Sequence, residues 1–139
     1  MIGNGHEEKK VDKYITDNNL QNNITRVGFM DGVEKYKLLK SARLFIHSAI
    51  YETGGMAAAE GMAAGLPVIA FDHEGFNYCY PSGMSRVSPI GDPKALAKRI
   101  IEYLDDEQKY NKLKYEAENF VKEWDWQKRA RALRKRIAL

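Results

Sequence analysis

The chain has 139 residues, 44% of them hydrophobic and 29% charged, with a formal net charge of +3, which describes one globular domain with a core of its own. No apolar run approaches the roughly 20 residues that span a bilayer, Met1-Ile2-Gly3-Asn4-Gly5 has neither the basic nor the apolar part of a secretory signal, and so small a charge is no footprint for nucleic acid. The single cysteine, Cys79, excludes an internal disulfide and fits a reducing, cytoplasmic setting.

Met1-Ile2 reads as the end of a strand that runs into Gly3-Asn4-Gly5. This Gly-x-Gly is a strand-to-helix turn without the third glycine of a dinucleotide fingerprint, because Glu8 stands in that place. Residues 7–19 are polar around Val11, Tyr14 and Ile15, an amphipathic helix closed by the asparagines at 18, 19, 22 and 23. Ile24-Thr25-Arg26-Val27-Gly28-Phe29 is β-branched and short, a strand with Phe29 either in the core or at the ligand edge. Asp31 is placed to cap a helix whose apolar stripe is Val33, Tyr36, Leu39 and Ala42. Leu44-Phe45-Ile46-His47 is the next buried strand, and His47 ends it at the edge where open α/β sheets bind ligands.

The stretch from Tyr51 to Phe71 organises the rest. Gly54 and Gly55 permit a sharp turn and close approach to a ligand, since neither has a Cβ. The alanine-rich run after them is helix-forming and small enough to press against a sheet. Gly65 suits a left-handed helix end, Pro67 forbids continuation, and Val68-Ile69-Ala70-Phe71 is an apolar run suited to a strand covered on both faces. Two carboxylates bracket the turn, Glu52 before the helix and Glu60 inside it. With the helix beginning near Gly54, the N–H groups of Thr53, Gly54, Gly55 and Met56 are available to a phosphate, and the glutamates to sugar hydroxyls on either side.

Asp72-His73-Glu74-Gly75-Phe76-Asn77 reads as a polar loop; its three adjacent acid and imidazole groups rarely all reach one ion, so no metal is expected. Residues 78–84 read as a turn and 85–88 as a last strand. Gly91-Asp92-Pro93 starts a helix with Asp92 as cap and Pro93 in the first turn, burying Leu96, Ile100, Ile101 and Leu104. A second helix over 106–122 follows. Asp125 caps a third, in which Trp126, Ala130, Leu133 and Ile137 share one face amid lysines and arginines. That helix either packs back on its own domain or another, or lies on an anionic membrane.

Glu52 and Glu60, separated by seven residues and followed by Gly61-Met62-Ala63-Ala64-Gly65-Leu66-Pro67-Val68-Ile69-Ala70, resemble the signature of the group 1 retaining glycosyltransferases of GT-B architecture. Val27-Gly28-Phe29 and Gly91-Asp92-Pro93-Lys94-Ala95-Leu96-Ala97 match further family segments. Departures are Asp31 where the family usually has glycine before its next helix, Ser48-Ala49 where it has Pro-Ser, Gly54 where an aromatic is usual, and Gly75-Phe76 where it has a glycine pair with a later acid. The resemblance implies an α/β fold with a Rossmann-like parallel sheet flanked by helices, the donor-binding C-terminal domain of a longer enzyme. The first βα unit and the acceptor-binding domain are then absent, and the piece alone is inactive.

It also implies transfer of a sugar from a nucleotide-diphosphate sugar to the hydroxyl of a carbohydrate or lipid-linked acceptor, with retention and without a cofactor. Glu52 is the implied catalytic residue, binding donor-sugar hydroxyls, with Glu60 on the ribose and Thr53 to Met56 on the phosphate. Gly5, Gly28, Phe29 and Met30 are candidate nucleotide contacts, and His47 and His73 candidate sugar contacts. The rival reading is a non-catalytic α/β module that binds a nucleotide or a protein.

Overall fold

The computed structural model describes residues 1–80 and 82–137. Pro81, within the expected 78–84 turn, lies outside the described residues. By backbone contacts the chain divides into two units, Met1–Leu38 and Leu39–Leu139.

The second unit is built on a parallel sheet of β1 (Phe45–His47), β2 (Val68–Phe71) and β3 (Met84–Val87), in that spatial order. Phe45 sits opposite Val68, and Ala70 opposite both His47 and Arg86. All four residues of β2 are buried, which is why its sequence is an unbroken apolar run. Its alternation divides the core into two layers. Val68 and Ala70 join Ala58, Ala59, Met62, Phe76, Tyr80, Met84 and Ala117 on one face, while Ile69 and Phe71 join Val87 and Leu96 on the other.

Helix α3 (Met56–Ala63) lies on the first face with α6 (Glu107–Lys122), and α5 (Pro93–Asp105) covers the second. The small side chains of α3 permit this approach: a Cβ on Gly61 would lie 2.6 Å from the Phe45 ring. Asp92 caps α5 as expected, its carboxylate accepting the N–H groups of Lys94 and Ala95 at 2.9 and 3.1 Å. Asp106 and Asp125 accept from Lys109 and Lys128 at the next two helix starts. Ile101 and Leu104, expected on the buried face, are exposed instead. The stretch expected to be a loop after β2 is instead a short helix, α4 (Glu74–Cys79), because Phe76 and Tyr80, four residues apart, both reach the core.

The last helix, α7 (Trp126–Ile137), buries none of its residues, so the expectation that it packs back on its own domain is not met. Among the described residues no helix is long and apolar enough to cross a membrane.

In the first unit, α1 (Glu8–Asp17) buries Ile15 but leaves Tyr14 exposed. Residues 24–29 form no regular strand. They make a short parallel pairing with the chain's start, in which the Met1 amine donates to Thr25 O (2.5 Å), Val27 N–H to Met1 O (3.0 Å) and Gly3 N–H to Gly28 O (2.7 Å). The expectation of a core Phe29 fails, since it is 74% exposed. Helix α2 (Gly32–Ser41), which contains the boundary between the units, buries only Leu39 of its expected stripe, with Val33 exposed and Asp31 accepting the Gly32 N–H.

Candidate functional site

After β1 ends at His47, the chain leaves the sheet edge and turns at Glu52. Gly55 adopts φ 58°, and α3 begins at Met56, two residues later than the sequence suggests. Gly55 is the helix N-cap in a left-handed conformation that a side chain disfavours. A Cβ there would also overlap Cε1 of Phe76. At the other end Gly65, φ 82°, closes the helix: its N–H donates to Met62 O and that of Leu66 to Gly61 O, the paired bonds of a left-handed helix stop.

Glu52 folds its carboxylate back into the turn. Oε1 accepts the N–H groups of Thr53 (2.8 Å), Gly54 (3.0 Å) and Gly55 (2.7 Å), and Oε2 lies 2.8 Å from His47 Nε2. Burial opposes ionisation of this acid. The hydrogen bonds from Gly55, Gly54, His47 and Thr53 outweigh it and lower its pKa from 4.5 to about 2. An acid held so firmly ionised does not donate a proton near neutral pH and is a weak base. It accepts hydrogen bonds and offers fixed negative charge. Its side chain as a whole remains 20% exposed. The structure thus gives the N–H groups of Thr53, Gly54 and Gly55 to Glu52. Met56 and its successors are the first-turn donors, which have no partner within the helix itself.

His47 is half-buried, between Glu52 and the Phe76 ring, which it meets at a tilt (ring centroids 5.8 Å apart). His73 is buried rather than presented to a ligand: its Nε2 is 2.7 Å from Ala49 O, and its ring meets Phe76 edge-on. Glu60 lies in the second turn of α3, half-buried, just over one turn from Met56 rather than almost two turns into the helix. Gly5 and Gly28 belong to the first unit. Gly5 N–H donates to Glu8 Oε1, Gly28 has φ 69° with Asn4 beside it, and Gly5 lines a cavity of about 220 Å³ with Arg26 at its wall. Arg26 is paired with Asp12 at 3.0 Å and Glu8 at 3.5 Å. Met30 is half-buried beside the exposed Phe29.

Sequence reasoning missed the residues behind the turn. Tyr80 donates its hydroxyl to Gly54 O at 2.6 Å, and a Cβ on Gly75 would sit 2.5 Å from Thr53 O. With His73 on Ala49 and Phe76 under Gly55, the segment 73–80 braces the whole turn from below. The spacing of Phe76 and Tyr80 was the available signal, an i, i+4 aromatic pair inside a stretch otherwise polar.

Comparison with known proteins points one way. A sequence model described as "Glycosyl transferases group 1" matches residues 1–120. The chain is 27% identical over 136 residues to an uncharacterised glycosyltransferase of Methanocaldococcus jannaschii, covering 97% of this chain and 38% of that protein. It is 26% identical over 135 residues to the poly(glycerol-phosphate) alpha-glucosyltransferase of Bacillus subtilis, covering 89% and 20%. Sucrose-phosphate synthase from Thermosynechococcus elongatus matches its fold with a TM-score of 0.80 at 26% identity, over 96% of this chain and 35% of that one. Anabaena HepE, solved with UDP and glucose, gives 0.76 at 23% identity, over 88% and 34%. The chain therefore spans only 20% to 38% of the length of these proteins.

Proposed function

The chain belongs to the group 1 glycosyl transferases, and from that premise we propose that it is the donor-binding part of a retaining enzyme that moves a sugar from a nucleotide-diphosphate sugar to an acceptor hydroxyl. The observation that carries this reading is the Glu52 carboxylate, ionised and fixed by three backbone N–H groups at the entrance to α3. A fixed anion of this kind accepts hydrogen bonds from the hydroxyls of a donor sugar. The start of α3 then receives the diphosphate through the Met56 N–H and its neighbours, stabilising charge that grows as the diphosphate leaves. Glu60, one turn further along, takes the ribose hydroxyls. HepE, whose fold this chain shares and which was solved with UDP and glucose, supports the same class of donor. No cofactor or metal has a part in this scheme.

The test is titration of the chain with UDP, GDP and ADP and their sugar conjugates, by calorimetry or amide NMR, alongside Glu60→Ala. Saturable binding of one nucleotide, weakened about tenfold or more in Glu60→Ala, is the expected result. Silence across the panel, both here and in a longer chain that contains this one, ends the reading.

The acceptor is proposed to be a carbohydrate or a lipid-linked glycan, and α7 adds a membrane surface to that proposal. All of its residues are unburied, and it carries Lys128, Arg129, Arg131, Arg134, Lys135 and Arg136 with Trp126 and Leu133 exposed, the composition of a helix that lies on anionic headgroups. Co-sedimentation with vesicles of anionic but not of neutral lipid is the expected outcome; equal recovery with both removes the membrane from the proposal.

A further inference from the structure

Gly54 and Gly55 share one peptide unit, and that unit has an unusual mechanical problem. In a trans peptide the C=O and N–H point in opposite directions. For the Gly55 N–H to reach Glu52 Oε1, the Gly54 C=O must therefore point the other way, into the protein. With no Cβ on either side, the unit between two glycines meets little steric resistance to turning over. Something outside the turn has to hold it. In the structure the Gly54 oxygen accepts a 2.6 Å hydrogen bond from the Tyr80 hydroxyl, while the Gly55 N–H lies 2.7 Å from Glu52 Oε1 on the opposite side.

The hydroxyl is itself immobile. Tyr80 is fully buried, and its ring meets Phe76, Phe120 and Trp124 edge-on at centroid distances of 5.8, 5.8 and 5.3 Å. Two of these three rings come from outside the turn and its brace, Phe120 from α6 and Trp124 from just beyond it. The Tyr80 oxygen also lies 3.3 Å from Gly55 O, the carbonyl that accepts the first hydrogen bond of α3, from Ala59. A phenylalanine fills the same space and keeps the ring contacts, so packing alone does not account for the oxygen.

We propose that Tyr80 is the positioning residue of this site: its hydroxyl locks the Gly54–Gly55 peptide so that the Gly55 N–H is aimed at the Glu52 carboxylate and α3 starts in the orientation that binds an anion. Tyr80 touches no substrate and acts through the turn. Its consequence for nucleotide binding rests on the donor-site reading above.

The deciding experiment compares the chain with Tyr80→Phe and Phe120→Leu by amide and carboxylate NMR over a pH series, with nucleotide titration as a second arm. In Tyr80→Phe the expected changes are movement of the Gly55 amide resonance, a Glu52 midpoint raised by about one pH unit, and nucleotide affinity lowered about fivefold. Phe120→Leu removes one of the three rings around Tyr80 but keeps the hydroxyl, so it is expected to lower the unfolding midpoint while moving the Glu52 titration clearly less than Tyr80→Phe does. Unchanged Gly55 and Glu52 signals in Tyr80→Phe overturn the proposal, as do equal shifts in both variants. Should Tyr80→Phe fail to fold, 3-fluorotyrosine at position 80 keeps the ring and strengthens the donor; the Gly55 amide must then respond, and its indifference overturns the proposal equally. If the unaltered chain binds no nucleotide, the affinity arm is read in the longer chain that contains it, where silence ends the donor-site reading, and the NMR arm still decides the role of Tyr80.

Discussion

Helices α3 and α7 make an instructive pair. The first is apolar nearly all round and poorly amphipathic, yet Ala58, Ala59, Gly61 and Met62 are all buried. The second has a clear apolar stripe of Trp126, Ala130, Leu133 and Ile137, and none of it is covered, Trp126 being 82% exposed. A stripe shows that a helix can bury one face, and says nothing about whether this chain supplies the partner. Small side chains are more informative, because they allow the backbone approach that locks a helix to a sheet. Gly61 against Phe45 is such a contact.

That contrast yields a graded series of substitutions. The largest effect belongs to Gly55→Ala, which places a Cβ in a left-handed residue and into the Phe76 ring; equilibrium urea unfolding is expected to lose about 3 kcal/mol or more. A loss below about 1 kcal/mol would mean that the turn adapts easily. Next comes Glu52→Gln. Because the folded pKa of Glu52 is lowered from 4.5 to about 2, its stabilisation is complete above about pH 4.5 and is lost as the pH falls through about 2. The difference in unfolding free energy between the chain and Glu52→Gln should therefore shrink by about 2–3 kcal/mol between those limits. A pH-independent difference would show that the N–H cluster does not favour the charge.

Asp92→Ala, which removes the two-donor cap of α5, is expected to cost about 1 kcal/mol in the same assay. The smallest change should come from Trp126→Ala on α7, within about 0.5 kcal/mol, since nothing covers that ring. A larger loss for Trp126→Ala than for Asp92→Ala would show that α7 is held against a surface in solution, and would erase the contrast with α3.

Much of the site was readable because its chemistry is local. The left-handed stop at Gly65, the buried strand 68–71 and the Asp92 cap each depend on a few neighbouring residues, whose intrinsic conformational preferences agree with their surroundings. The same locality brought out Glu52 and Glu60 as a pair. Failures occurred where distant chain decides. Residues 24–29 have strand composition but pair only along the first residues of the chain, too briefly for a regular strand. Residues 74–79 have loop composition but coil into a helix, because core space exists for Phe76 and Tyr80.

The amino-acid sequence by itself determined the family, the parallel α/β order of the second unit, and the glutamate, glycine and helix-start residues from which the site is made. The family follows from the resemblance carried by Glu52, Glu60 and the Gly61 to Ala70 segment; the rest follows from spacing, backbone permissiveness and apolar periodicity, all short-range properties. Only the tertiary structure decided what each group does there. Glu52 turns its carboxylate onto its own turn, His73 is withdrawn to a backbone oxygen, and Tyr80 reaches back 26 residues to hold Gly54. Hydrogen bonds of that span depend on which surfaces the core brings together, and no local pattern encodes them.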